Sequence, residues 1–153
     1  MISKNYKNNF LKNKNILVTG ASKGIGKCVT ENLSMLGANI IMLSRNEIEL
    51  DKIYDSVKEK YKTKPFIINC DLEDLDENRA QEVANIIFEN YKNLDAVIFN
   101  AAVLEKMSDL ISYDLKTWDK VIKINLTSSF ILSKYLISLM ESSSNPRIIF
   151  TSS

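Results

Sequence analysis

Apolar residues along this chain fall into two alternating kinds of run. Short unbroken stretches occur at Ile16-Leu17-Val18, Ile40-Ile41-Met42-Leu43, Phe66-Ile67-Ile68, Ala96-Val97-Ile98-Phe99 and Ile148-Ile149-Phe150. They do not alternate with polar residues, which predicts parallel strands covered on both faces. Between them, apolar residues recur every three or four positions, the period of a helix face. Ile25, Val29, Leu33 and Leu36 make one such stripe, ended by Gly37. Leu50, Ile53, Tyr54, Val57 and Tyr61 make a second, with Asn46 as its N-cap and Glu49 placed to cap back. Ala80, Val83, Ala84, Ile87 and Tyr91 make a third. The longest helix is expected from about Asp114 to Glu141, on the stripe Leu115, Trp118, Ile122, Asn125, Ser129, Leu132, Leu136 and Leu139. Strand and helix alternate throughout, so the fold class is α/β: a doubly wound parallel sheet with right-handed crossovers and strand order 3-2-1-4-5. Its ligand crevice is expected at the strand C-termini, beside strands 1 and 4.

Residues 1–14 stand apart from this pattern. They are rich in Lys and Asn and have no apolar core of a secretory signal, so they read as a partly ordered arm from which Phe10 and Leu11 reach onto the body. Residues 15–153 form the expected nucleotide-binding domain, with no internal repeat and no second domain. Composition narrows the chemistry. Twenty basic and nineteen acidic residues leave a net charge of +1, so nucleic acid is not implied as a partner. No apolar run approaches the ~20 residues of a membrane span. The absence of histidine removes imidazole acid–base chemistry and most zinc sites, and no metal site is expected. Cys28 and Cys70 form no CxxC pattern and read as single buried or half-buried thiols of a cytoplasmic protein.

Three of the four glycines crowd into Thr19-Gly20-Ala21-Ser22-Lys23-Gly24-Ile25-Gly26, between the first strand and the first helix. Such a turn gathers backbone N–H groups and the positive end of a helix at one point, which suits a phosphate. Gly20 permits the turn, while Gly24 and Gly26 permit close approach of a ligand and of the helix to the sheet. A plain turn is the alternative. A P-loop would need Gly at Ala21 and Ser or Thr at Cys28, and the GxGxxG fingerprint is replaced by GxxxGxG.

Several positions extend the pattern. Asp71 follows the third strand, Asn100-Ala101-Ala102 the fourth and Ser152-Ser153 the fifth, with Asn125 inside the long helix. Together with the glycine turn, this ordered set resembles the short-chain dehydrogenase/reductase family over essentially all of residues 15–153. In its Ser-Arg after strand two and Phe-Thr-Ser-Ser after strand five, it is similar to the YciK-type oxidoreductases. The resemblance implies a Rossmann-like domain that transfers hydride between NADP(H) and a carbonyl or alcohol substrate, NAD being the less favoured cofactor. It implies cofactor contacts from Gly20, Ser22, Lys23, Gly24, Ile25 and Gly26 of the turn, from Arg45, from Asp71 and the backbone of Leu72 at the adenine, and from Asn100, Ala101 and Ala102. Asn125 would hold a water in a proton relay, and Ser153 would hydrogen-bond the substrate carbonyl. A homodimer through the helix 114–141 is a further implication.

The residues allow blander readings beside these. Lys23 and Arg45 would favour a doubly charged 2′-phosphate, with Ser44 standing where an NAD site presents an acid, or they are solvated surface charges. Asp71 could simply cap a helix. Asn125, on a mainly apolar stripe, could be a structural amide satisfied by hydrogen bonds. Phe99 and Ala102 depart from the family, which often has Asn and Gly there.

The family's acid is a Tyr-x-x-x-Lys pair further along than the serine matched by Ser153, where this sequence stops. Tyr54 and Lys58 match the spacing but lie in the second helix, on the wrong side of Asp71. The expectation is therefore a chain lacking the family's last strands and helices and inactive as it stands, or a non-catalytic dinucleotide-binding module. Its last strand would be a bare edge. A Rossmann-type methyltransferase is disfavoured by Lys23, Arg45 and the Asn125 and Ser153 set.

Overall fold

The computed structural model describes residues 9–106 and 108–152. Five strands, β1 (Asn15–Thr19), β2 (Asn39–Ser44), β3 (Phe66–Asn69), β4 (Ala96–Phe99) and β5 (Arg147–Phe150), form one sheet in the order β3-β2-β1-β4-β5. Every pairing is parallel, with Leu17 opposite Ile41 on one side and Val97 on the other. The helices are α1 (Gly24–Met35), α2 (Glu47–Lys60), α3 (Glu77–Tyr91), α4 (Leu115–Ile122) and α5 (Ser128–Met140), as the alternating pattern requires.

The unbroken apolar runs sort onto the two faces by the strand period of two. Leu17, Ile41, Leu43, Ile68, Val97 and Phe99 pack with Val83 and Ile87 of α3 and Leu132 and Leu136 of α5. Their neighbours Ile16, Val18, Ile40, Met42 and Ile98 face the other way, onto Leu50, Ile53 and Val57 of α2 and the half-buried Val29 and Leu33 of α1. The Asn46 side chain accepts the Glu49 N–H at the start of α2. Glu49 does not cap back as expected; its carboxylate binds Lys52 at 2.6 Å, and the Asn46 N–H turns to the Ser44 hydroxyl.

Two stripes shift from their expected places. On α1 the buried residues are Gly26, Thr30 and Ser34, while Ile25 is 66% exposed. Gly26 lets the first turn of α1 close on the end of β1, and of the expected stripe Val29 and Leu33 are half-buried and Leu36 is buried. The expected helix 114–141 begins at the Asp114 cap, which accepts the Thr117 N–H at 2.9 Å, but it is interrupted by a π turn at Lys123–Thr127. Burial falls on Ile124 and Ser128 rather than on Ile122 and Asn125, and α4 buries no residue, with Leu115 76% and Trp118 54% exposed. Beyond it the expected stripe resumes at Ser129, Leu132, Leu136 and Leu139.

The N-terminal arm enters through Leu11, whose N–H bonds the Leu36 carbonyl at 2.9 Å and whose side chain packs on the α1–α2 face; Phe10 stays 62% exposed. Residues 1–8 lie outside the described ones. Cys28 is exposed, contrary to expectation, because it lies on the rotated outer face of α1; Cys70 is buried. β5 ends the sheet with all four residues exposed, and Phe150 stacks on Phe99 at 5.1 Å between ring centroids.

At the N-terminal ends of the strands, Asp95 ties four segments together. Its carboxylate receives Lys14 Nζ at 2.8 Å, the Asn15 N–H at 2.9 Å and the Ser143 hydroxyl at 2.7 Å. Burial alone would raise its pKa, but these three donors outweigh burial and hold the carboxyl below its ordinary value.

At the opposite ends, β1 turns sharply through Gly20 (φ +65°), whose N–H bonds the Leu43 carbonyl at 2.8 Å. A Cβ on Gly26 would fall on the Gly20 carbonyl and within 2.6 Å of Asn100 Nδ2. One on Gly24 (φ +53°) would meet only open space.

Two stability measurements follow from these ends. Gly26→Ala should cost about 1–3 kcal/mol in urea unfolding by overpacking, whereas Gly24→Ala should cost about 1 kcal/mol, from backbone strain alone. Asp95→Asn should cost about 1–3 kcal/mol at pH 7. Because the folded pKa of Asp95 is depressed, its contribution is complete above the unfolded value and fades as pH falls through the folded one. The difference between the two proteins should therefore shrink below about pH 4. A constant difference from pH 7 to pH 3 would show that the charge is not what stabilises.

Candidate cofactor site

Thr19, the last residue of β1, fastens the site. Its hydroxyl accepts the backbone N–H groups of both Asn100 and Ala101 at 3.1 Å. The Asn100 amide in turn donates to the carbonyls of Thr19 at 3.2 Å and Gly20 at 3.4 Å. The ends of β1 and β4 are thereby locked, and a Cβ on Gly20 would come within 2.8 Å of the Ala101 Cα. Neither Thr19 contact was legible beforehand, since the hydroxyl looks like one more β-branched strand residue.

Above this lock opens a cleft of about 500 Å³. Of the residues expected to hold a cofactor, Gly20, Ser22, Lys23, Gly24, Ile25, Arg45, Asp71, Leu72, Asn100, Ala101 and Ala102 all line it. Gly26 does not; it backs the turn from beneath. Leu43, Ser44, Asn46, Cys70, Val103 and Ile124 complete the wall. Most of these sit where a strand gives way to its loop, so topology rather than residue type marks them.

The donor set suits an anion. The first turn of α1 contains no acid, and its cap residue Lys23 makes no side-chain capping bond, so the helix N-terminus opens unblocked onto the cleft. Lys23 is exposed and carries no ion pair among the described residues. Ser22 and Ser44 share a hydrogen bond of 2.9 Å, putting two neutral hydroxyls where an acid would otherwise face a ribose. Arg45 Nη1 donates to Asp71 Oδ2 at 3.2 Å, and Asp71 Oδ1 accepts the Glu73 N–H at 3.0 Å. Asp71 is thus not the helix cap that its position also allowed; Asp76 caps α3 by accepting the Arg79 N–H at 2.7 Å. Burial pushes the Cys70 thiol above its ordinary pKa, against a smaller pull from Arg79, so it lines the cleft as a neutral group.

On the β4 side, Asn125 sits in the π turn with an exposed position rather than on a buried stripe. Both ends of its amide are nevertheless engaged: Oδ1 accepts the Val103 N–H at 2.8 Å and Nδ2 donates to the Val103 carbonyl at 3.0 Å. The π turn therefore holds the loop that follows Ala102. Ser152 is exposed beyond β5, and Ser153 lies outside the described residues. Tyr54 and Lys58 pair with each other on α2, Nζ to hydroxyl at 3.3 Å, and neither lines the cleft.

Known proteins are similar to this chain over most of its length. The family model for short chain dehydrogenases matches residues 14–153. The uncharacterized oxidoreductase YciK of Escherichia coli K12 is 32% identical over 147 residues, covering 96% of this chain and 58% of YciK. The 3-oxoacyl-[acyl-carrier-protein] reductase FabG of Rickettsia prowazekii is 34% identical over 145 residues, covering 94% of this chain and 55% of FabG. Among solved structures, a short chain dehydrogenase of Shigella flexneri 2a complexed with NADP superposes with a TM-score of 0.92 at 33% identity, over 96% of this chain and 62% of that one. The chain thus spans little more than half the length of the relatives it matches. With the order of elements, the glycine turn and the family match in agreement, the chain belongs to the short chain dehydrogenase family.

Proposed function

We propose that the cleft holds NADP(H), and that the chain is the cofactor-binding part of an oxidoreductase acting on a small carbonyl or alcohol compound. One observation carries this reading: an unblocked helix N-terminus and two basic side chains open onto one cleft, with serine in place of the ribose-binding acid. The NADP-bound relative from Shigella supports it. The backbone N–H groups opening α1, with Gly20, Ser22, Gly24, Ile25 and Gly26 shaping their approach, receive the pyrophosphate. Lys23 and Arg45 receive the 2′-phosphate. Asp71 and the Leu72 backbone meet the adenine, and Asn100, Ala101 and Ala102 form the wall toward the nicotinamide. The bound cofactor supplies or accepts the hydride. Asn125 holds the adjoining loop and supports the proton relay, and Ser153 orients the substrate carbonyl.

A second reading, a module that binds the dinucleotide without turning substrate over, is favoured by one fact. The only Tyr-x-x-x-Lys spacing in these 153 residues is Tyr54 to Lys58, engaged with each other on α2 and outside the cleft. These residues by themselves are accordingly expected to bind NADPH without turnover. Family membership, together with Cys28 and Cys70 as free thiols, supports a cytoplasmic setting. No helix among the described residues is long and apolar enough to cross a membrane. Exposed Trp118, Leu126, Phe130 and Ile137 on the long helix support a homodimer through residues 114–141.

Titration of the chain with NADPH and NADH, followed by nicotinamide fluorescence, should give the tighter binding for NADPH. Arg45→Ala should weaken NADPH about tenfold or more while leaving NADH nearly unchanged. Lys23→Ala should act in the same sense by about two- to fivefold. Equal affinities in the unsubstituted chain would exclude a 2′-phosphate site. Sedimentation equilibrium should show a dimer that Trp118→Glu dissociates; a monomer at all concentrations would rule the dimer out.

A further inference from the structure

We propose that Asp71 sets how strongly the cleft discriminates NADP(H) from NAD(H), acting through its hold on Arg45; this rests on the reading of the cleft as a dinucleotide site. Of the two cations lining the cleft, Arg45 alone has an anionic partner among the described residues. That partner is itself fixed, because Asp71 Oδ1 accepts the Glu73 backbone N–H at 3.0 Å while Oδ2 faces Arg45 Nη1 at 3.2 Å. The guanidinium is the more exposed member, its side chain 58% exposed against 33% for the carboxylate.

A phosphate on the ribose 2′-position draws its affinity from Arg45 and must therefore draw the guanidinium toward itself against Asp71, which holds its Nη1 donor. A bare 2′-hydroxyl makes no such demand. The cost of freeing Arg45 thus falls on NADP(H) alone, whereas any contact between Asp71 and the adenine is common to both nucleotides and cancels in their ratio. Ser22 and Ser44, bonded to each other, add no competing charge. Asp71 is in this sense a specificity-determining residue that tempers the phosphate preference.

The test measures dissociation constants for NADPH and NADH by nicotinamide fluorescence, in the unsubstituted chain, Asp71→Asn, Arg45→Ala and the double variant. Asparagine can still accept the Glu73 N–H, and so can serine; Asp71→Ser serves as the second variant, with far-UV circular dichroism reporting folding of each. The expected result is a rise of about two- to fivefold in the ratio Kd(NADH)/Kd(NADPH) for Asp71→Asn. The rise should vanish when Arg45 is alanine. A ratio that stays constant or falls in Asp71→Asn, or a rise that persists without Arg45, overturns the inference while leaving the cofactor reading standing. Failure of the unsubstituted chain to bind either nucleotide overturns that reading and this inference with it.

Discussion

The close packing at the end of β1, where Gly20 lies against the Ala101 backbone and Gly26 against the Gly20 carbonyl and the Asn100 side chain, is the constraint on which the rest of the structure depends. Where β1 ends, the chain must reverse into α1 while lying against the end of β4. The space left holds no Cβ at either glycine, and Thr19 and Asn100 fill it with four hydrogen bonds. This contact fixes where α1 starts, and hence where its unpaired N–H groups point. It also requires glycine at position 26, the first of the buried positions Gly26, Thr30 and Ser34 along α1.

Stability and binding are thereby separated along the strands. The strand C-termini carry the glycines, an exposed lysine and a surface ion pair, which add little stability by themselves. The strand N-termini carry the Asp95 knot, in which one carboxylate joins the arm at Lys14, the start of β1 and the segment after α5. Between them lie two apolar layers that need no polar help. A cleft lined by groups kept available for a ligand is compatible with a folded domain because the Thr19–Asn100 lock beneath it, the apolar layers and the Asp95 knot hold the sheet together.

The long helix shows how a local irregularity serves the site. A regular helix over 114–141 would put Asn125 on the buried stripe beside Ile122. The π turn instead sets Asn125 toward the loop after β4, where its amide takes both backbone groups of Val103. One extra residue in the winding therefore shapes a wall of the cleft. Nothing in the residue types announces it, because Lys123 to Thr127 are acceptable in an ordinary helix as well.

Periodicity was sufficient for the five strands, the helices between them and their order, because a parallel sheet covered on both faces demands unbroken apolar runs and leaves few topologies. The glycine spacing, with Lys23, Arg45 and Asp71 at strand ends, likewise marked the cleft, since only strand C-termini can bring those positions together. Tertiary structure alone decided which face of α1 is buried, where the π turn falls, and that Arg45 meets Asp71 while Glu49 turns to Lys52. The division has a physical cause. Burial periodicity and turn geometry are local properties of the chain, whereas helix rotation, winding defects and ion pairing depend on what a distant segment presents at a few ångströms.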